Sequence, residues 1–202
     1  MGLHAVVLDV GNVLFTWDPR FLYERLIDDD RALDAFLRDV VTHEWHFQHD
    51  AGRPFAETRV ELGDRFPQHR ALIDLWGPRF LDSLGPAVPG MIELVEELDA
   101  RGVPLFAITN FSGEFWPPFR EREARLFDRF RDIVVSGDEM LAKPDPAIYR
   151  LALDRFGLAA ENAIFIDDRA DNIEGAQSIG MRGHLFSGAA PLRAELAALG
   201  LL

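Results

Sequence analysis

The sequence predicts an α/β fold: a doubly wound parallel sheet interrupted by an inserted helical segment. Three observations carry this reading. Short apolar runs recur at residues 5–8, 104–108, 133–135 and 163–166, and a continuous apolar run of this length reads as a strand buried on both faces of a parallel sheet. From Pro89-Gly90 onward these runs alternate with stripes of helical period. Residues 16–85 carry helical stripes alone, with no convincing strand.

In order along the chain, Ala5-Val6-Val7-Leu8 runs into Asp9, with Gly11 two residues later. In the insertion, Leu33, Phe36, Leu37 and Val40 mark one helical face. Phe55, Leu62 and Phe66 suggest a second helix, started by Gly52-Arg53-Pro54, and Leu72 to Leu81 a third. Asp28-Asp29-Asp30 reads as a solvated turn. Met91, Leu94, Val95 and Leu98 form a helix stopped near Gly102. A strand over 104–108 ends in Thr109-Asn110, and an Arg- and Glu-rich helix follows at about 118–130. After Ile133-Val134-Val135, Asp145-Pro146 supplies an N-cap and a first-turn proline for a helix with Ile148, Leu151 and Ala152 on its apolar face. A fourth strand ends in Asp167-Asp168. A helix from about 171, a short strand near His184-Leu185-Phe186 and a Leu/Ala helix complete the pattern. The expected organisation is a core from 1–15 and 86–202, with a helical insertion from 16–85.

The 202 residues suffice for one core domain and a modest insertion. Hydrophobic content of 48% and charged content of 27% are those of a globular protein. No apolar run approaches the ~20 residues of a membrane helix, and no signal peptide is apparent. The absence of cysteine excludes disulfides, thiolate metal sites and cysteine nucleophiles. A cytoplasmic protein, monomer or homodimer, is expected. A net charge of −13 argues against nucleic-acid binding and disfavours an anionic substrate unless a local cation offsets the field. Among 21 Lys and Arg residues only Lys143 is a lysine. Its isolation points to a site that needs a compact ammonium rather than a planar fork.

If the strands are parallel, Asp9, Thr109-Asn110 and Asp167-Asp168 converge on one edge of the sheet, where open α/β sheets bind ligands. Lys143 opens the turn before a helix, held against Pro144-Asp145-Pro146. Three carboxylates in one crevice repel one another. A hard divalent cation such as Mg²⁺ removes that conflict. Cation, ammonium, hydroxyl and amide together make a cradle for a phosphoryl group.

This arrangement resembles the haloacid dehalogenase-like hydrolase superfamily over nearly the whole chain. Four motifs carry the resemblance: Asp9-Val10-Gly11-Asn12-Val13, Thr109-Asn110, Lys143-Pro144-Asp145-Pro146, and the acidic run from Asp167-Asp168 through Asn172 to Ala176. The helical insertion after the first motif resembles the family's cap. The resemblance implies a Rossmann-like core and Mg²⁺ held by Asp9, the Gly11 carbonyl and Asp168. It implies Asp9 as the nucleophile that forms an aspartyl-phosphate, with Thr109, Asn110 and Lys143 binding the phosphoryl oxygens. Asp167 and Asn172 would orient Lys143 or a metal-bound water. Asp171 lies four residues after Asp167, a spacing the family also uses, but the alignment through Ile173-Glu174-Gly175-Ala176 places Asn172 at the equivalent position. The substrate implied is a small phosphorylated metabolite.

Most phosphatases of this superfamily carry a second Asp where this chain has Gly11, and glycine can neither protonate a leaving group nor activate water. Three readings follow. The first is a phosphatase acting on an ester that needs little protonation, such as a sugar phosphate; bacterial α-D-glucose-1-phosphate phosphatases carry a similar Asp-x-Gly-Asn-Val loop. The second is a 2-haloacid dehalogenase using the same Asp, and the third a non-catalytic phosphate- or partner-binding protein. The patch from His43 to His49 lacks the zinc spacing, because position 47 is Phe. Read functionally, it makes His46, Gln48 and His49 specificity residues facing the crevice, with His46 or His49 a substitute acid. Trp116 is the candidate to pack against the leaving group.

Overall fold

In a computed structural model, which describes residues 3–202, five parallel strands form one sheet. They are β1 (Ala5–Leu8), β4 (Leu105–Thr109), β5 (Asp132–Val135), β6 (Ala163–Asp167) and β7 (Arg182–Leu185). Two further strands, β2 (Phe15–Trp17) and β3 (Leu84–Ala87), make a separate antiparallel ribbon. The main order is β5-β4-β1-β6-β7. β1 lies in the middle, pairing Val6 with Leu105 and with Ile164. The chain winds outward from β1 through β4 to β5, then restarts on the other side at β6. The ends of β1 and β6 therefore flank a topological switch point, where the loops separate and leave a crevice.

The runs that predict strands are buried on both faces. Val6, Leu8, Leu105, Ala107, Ile164 and Ile166 pack on one side, with Leu94 and Leu98 of the helix Met91–Ala100 and Leu192 and Leu196 of the helix Ala189–Ala198. Ala5, Val7, Phe106, Ile108 and Phe165 face the other side, with Ile148, Tyr149 and Ala152 of the helix Pro146–Phe156 and Ile173 and Ala176 of the helix Ala170–Gln177. Alternate residues go to opposite layers because side chains alternate across a strand. Truncating one such Leu or Ile to Ala costs about 2–5 kcal/mol. Asp145 caps its helix by accepting from the Ala147 N–H at 2.8 Å, Pro146 occupies the first turn, and Gly157 ends the helix at φ 66°.

Four expectations need correction. The ribbon β2–β3 lies at the edges of a region expected to lack strands. The segment Leu72–Leu81 is not one helix but the short helix Arg70–Ile73 and a 3₁₀ turn at Phe80–Ser83; Pro78 lacks the N–H a continuous helix needs. The helix expected over 118–130 is two, Trp116–Arg122 and Ala124–Phe127. Asp29 is not a mere turn residue: its carboxylate accepts from the Ala32 N–H at 2.8 Å and caps the helix Asp30–Asp39.

Candidate active site

Asp9 follows β1 directly, and its N–H donates to the Ile166 carbonyl of β6 at 2.9 Å, which fixes it at the switch point. Its Oδ1 accepts from the Val10 N–H at 2.7 Å and lies 2.8 Å from Lys143 Nζ. The same ammonium donates to Asp167 Oδ2 at 2.7 Å. Lys143 is 1% exposed and Asp167 fully buried. Asn110 clamps the lysine's backbone: its Nδ2 donates to the Lys143 carbonyl at 2.9 Å and its Oδ1 accepts from the Lys143 N–H at 2.8 Å. An ammonium in this position serves two carboxylates at once, which a planar guanidinium of greater bulk would not reproduce. This is a physical reason for the chain's single lysine.

Burial works against the charges here. It pushes the Asp9 carboxyl up to about 7; Lys143 opposes the shift and Asp167 adds to it. Burial likewise disfavours the Lys143 ammonium, but Asp9 and Asp167 outweigh it and hold its pKa above the ordinary value. Asp168 is raised, first by burial and then by Asp167. Asp167 is held by the Asn172 Nδ2, 3.0 and 3.1 Å from its two oxygens, and by the Arg169 N–H at 2.9 Å. Asp171 instead pairs with the Arg169 guanidinium at 2.6 Å, away from the cluster. Asn172, not Asp171, thus supports the site.

Asp9, Asp167 and Asp168 each present an oxygen within 4.8 Å of the others. Hard oxygen donors in such a set suit a divalent cation. Both Asp167 oxygens are engaged, by Lys143, Asn172 and the Arg169 N–H, whereas Asp9 is bonded through Oδ1, leaving Asp9 and Asp168 as the freer ligands. The Thr109 hydroxyl, at the end of β4, is buried without a hydrogen-bond partner. An orphaned buried polar atom costs about 1–3 kcal/mol, so its presence points to a ligand group that satisfies it.

These groups open into a cavity of about 500 Å³. Asp9, Gly11, Asn110, Lys143, Asp168 and Asn172 line its floor, with Thr109 and Asp167 buried behind it. The opposite wall comes from Trp17 and the helix His43–Asp50, through His43, His46, Phe47 and Asp50. That helix starts at Thr42, whose Oγ1 accepts from the Trp45 N–H at 3.1 Å. Positions 43, 46, 47 and 50 then share one face.

Three expected specificity residues lie elsewhere. His49 does not face the cavity: its Nε2 meets Thr58 Oγ1 at 2.6 Å, among Trp45, Phe55 and Phe115. Trp116 is core, packed against Phe111 and Phe127 at centroid distances of 5.3 and 5.0 Å. Gln48 bonds Arg53 instead. His46 does line the cavity, stacked on Trp17 at 4.8 Å. Burial, then His49 and His43, hold its pKa well below the ordinary imidazole value. Burial and Arg53 depress His49 to about 4. Both shifts disfavour the imidazolium form that a substitute general acid would need. Asp50, which sequence reasoning passed over, lies on the cavity wall at 6% exposure. Counting one helical period forward from His43 and His46 would have found it.

A family model of haloacid dehalogenase-like hydrolases matches residues 3–180. The chain belongs to this family. Among curated hydrolases it is 29% identical to the sesquiterpene phosphatase astK of Aspergillus oryzae, over 89% of this chain and 87% of that one. It is 30% identical to the phosphoglycolate phosphatase of Escherichia coli O157:H7, over 89% of this chain and 69% of that one. A haloacid dehalogenase family enzyme of Bacteroides thetaiotaomicron, solved with magnesium and inorganic phosphate, superposes with a TM-score of 0.69 at 20% identity. That match covers 93% of this chain and 96% of the other.

Proposed function

We propose that this hydrolase is a phosphatase that cleaves a small phosphomonoester through an aspartyl-phosphate on Asp9. The observation that carries the reading is the buried Lys143 ammonium, 2.8 Å from Asp9 Oδ1, on the floor of a cavity that Asp168 also lines. In a chain of net charge −13 this is the local cation that lets a dianionic group approach. The phosphatase relatives support the same chemistry.

Each residue has a role that follows from its position. Asp9 attacks phosphorus, dividing hydrolysis into formation and breakdown of a phospho-enzyme. Lys143, the Thr109 hydroxyl and the Asn110 backbone N–H bind phosphoryl oxygens and become more effective as charge develops. Asn110 and Asn172 fix Lys143 and Asp167, so the cradle is assembled before substrate arrives. Mg²⁺ would be held by Asp9, Asp168 and the Gly11 carbonyl, and when bound it neutralises phosphoryl charge and orients the group. We read 16–85 as a cap over a core of 1–15 and 86–202. Its His46 and the aromatic wall of Trp17, Phe47 and Phe80 contact the alcohol part of the ester, which a sugar ring or an apolar alcohol would fill. The acidic cluster favours this reading over a 2-haloacid dehalogenase, whose displacement at carbon needs no cation.

The test is phosphate release from glucose 1-phosphate, other sugar phosphates and isoprenyl phosphates, with Mg²⁺ or with EDTA, alongside halide release from 2-haloacids. Release that requires Mg²⁺ and disappears in Asp9→Asn is expected. Halide release indifferent to EDTA would make the chain a dehalogenase, and inactivity in both assays would leave a binding protein.

A further inference from the structure

The reaction proposed above needs a proton for the departing alcohol, and Gly11 has none to give. Space for one is present: a Cβ built on Gly11 would meet no atom within 4 Å. The cavity wall opposite offers a different donor. Asp50 ends the helix His43–Asp50, is 6% exposed, and has one buried carboxyl oxygen, Oδ1, that makes no well-formed hydrogen bond, although the Ser112 N–H faces the carboxyl. Its Oδ2 lies 3.4 Å from His46 Nε2. A buried carboxyl with an unpaired oxygen on the wall of a catalytic cavity is costly as pure architecture. The cost is explicable if the carboxyl meets a reacting group in that cavity.

We propose that Asp50 is the general acid and base of this phosphatase, supplied across the cavity in place of a side chain at position 11. The inference rests on the phosphatase reading. Its position is held from two directions. The Asp50 carbonyl accepts from Ser136 Oγ at 2.5 Å, and that hydroxyl accepts from the Phe111 N–H at 3.0 Å, just beyond Thr109-Asn110. His46, on the same helix one turn earlier, braces the carboxyl and is itself fixed by stacking on Trp17. Burial raises the Asp50 carboxyl well above the ordinary range, and the Asp9 charge raises it further, while Lys143 and the Ser112 N–H oppose. The two shifts run in opposite directions, and both favour a proton on Asp50 over one on His46.

The proton balance closes. As an Asp9 oxygen bonds to phosphorus, the bond to the ester oxygen breaks, its electron pair stays on that oxygen, and the Asp50 proton joins it to release the alcohol. Asp50 is then a carboxylate. It takes a proton from the water that attacks phosphorus, the bond to Asp9 breaks, and inorganic phosphate leaves with both carboxyls restored.

The experiment compares an alkyl phosphate with p-nitrophenyl phosphate, whose phenolate departs without a proton, in wild type, Asp50→Asn and Asp50→Asn/Gly11→Asp. For Asp50→Asn, kcat/KM on the alkyl ester should fall about 10²-fold or more, and on the aryl ester less than about tenfold. The aryl ester should also show an initial burst of p-nitrophenolate, because breakdown of the aspartyl-phosphate lacks its base. Adding Gly11→Asp should recover at least about tenfold on the alkyl ester, since that side chain enters open space. Equal losses on both esters, or no loss, would overturn the assignment while leaving the phosphatase intact. A folded wild type inert toward both esters would overturn the phosphatase reading itself, and Asp50's role with it.

Discussion

Replacing Lys143 with Met tests whether the ammonium is the electrostatic keystone of the sheet edge. Met fills similar volume without charge, so the change isolates electrostatics from packing. Lys143 Nζ is 2.8 Å from Asp9 and 2.7 Å from Asp167, and the two carboxylates have oxygens within 4.8 Å of each other. At an effective dielectric near 20, each attraction is about 6 kcal/mol and the exposed repulsion at least about 3.5 kcal/mol, before desolvation is counted. Removing one partner of a buried pair costs about 3–5 kcal/mol net, because the remaining charge stays buried and uncompensated. In a chain of this length that is a fall in Tm of roughly 6–20 °C. Thermal melts followed by circular dichroism at pH 8, in EDTA, would measure it. Millimolar Mg²⁺ should recover part of the loss, as a second source of positive charge for the same oxygens. A variant melting with the wild type would refute the argument: the carboxylates would have to be neutral or solvated.

Three further outcomes are expected. His49 has a folded pKa of about 4 against 6.5 for the free side chain. The unfolded chain therefore binds the proton first, and stability present above pH 6.5 falls by roughly 3 kcal/mol as pH drops to 4. His49→Gln should flatten that slope in urea titrations at pH 4.5 and 7; an unchanged slope would place the sensitivity elsewhere. Trp116→Ala should lower stability by about 3–5 kcal/mol while leaving KM unchanged, whereas a raised KM with an intact Tm would return Trp116 to the substrate. Gly52→Ala should cost about 1–3 kcal/mol, read from the urea midpoint. Gly52 sits at φ 93°, and a Cβ there would lie 3.0 Å from the Gly137 carbonyl oxygen and 2.9 Å from Met140 Cγ.

The sheet was legible because β1, β4 and β6 lie inside two layers, so nearly every residue must be apolar and the run announces itself. The ribbon β2–β3 was not. Phe15–Trp17 is too short to show alternation, β3 contains Gly85-Pro86, and the register shifts between Phe15 and Trp17. The convergence of Asp9, Thr109, Lys143, Asp167 and Asp168 was legible for a related reason: a parallel sheet brings the ends of its strands to one edge, so position along each strand stands in for position in space. No such rule locates the opposite wall. His49 and Trp116 looked functional by residue type, yet aromatic side chains in this chain chiefly fill the core. Asp50 went unnoticed because its chemistry arises from packing a helix end against Ser136, many residues later. The helical phase set by Thr42 held the clue, and composition obscured it.

The ribbon also bears on how such a chain changes over generations. Trp17 and Leu84 are register partners, so the backbone leaves the sheet domain and re-enters it at adjacent points. What lies between is topologically a hairpin loop grown large. Once the ends are pinned, each doubling of a flexible loop costs only about 0.6 kcal/mol in closure entropy. Length and sequence in that stretch can therefore drift, or be exchanged by splicing at the ribbon, with little penalty to the strands beneath. The apparatus at Asp9 and Lys143 is insulated from that experimentation. A proton donor housed on the exchangeable side travels with the loop, so substrate preference and leaving-group chemistry would be inherited as one cassette.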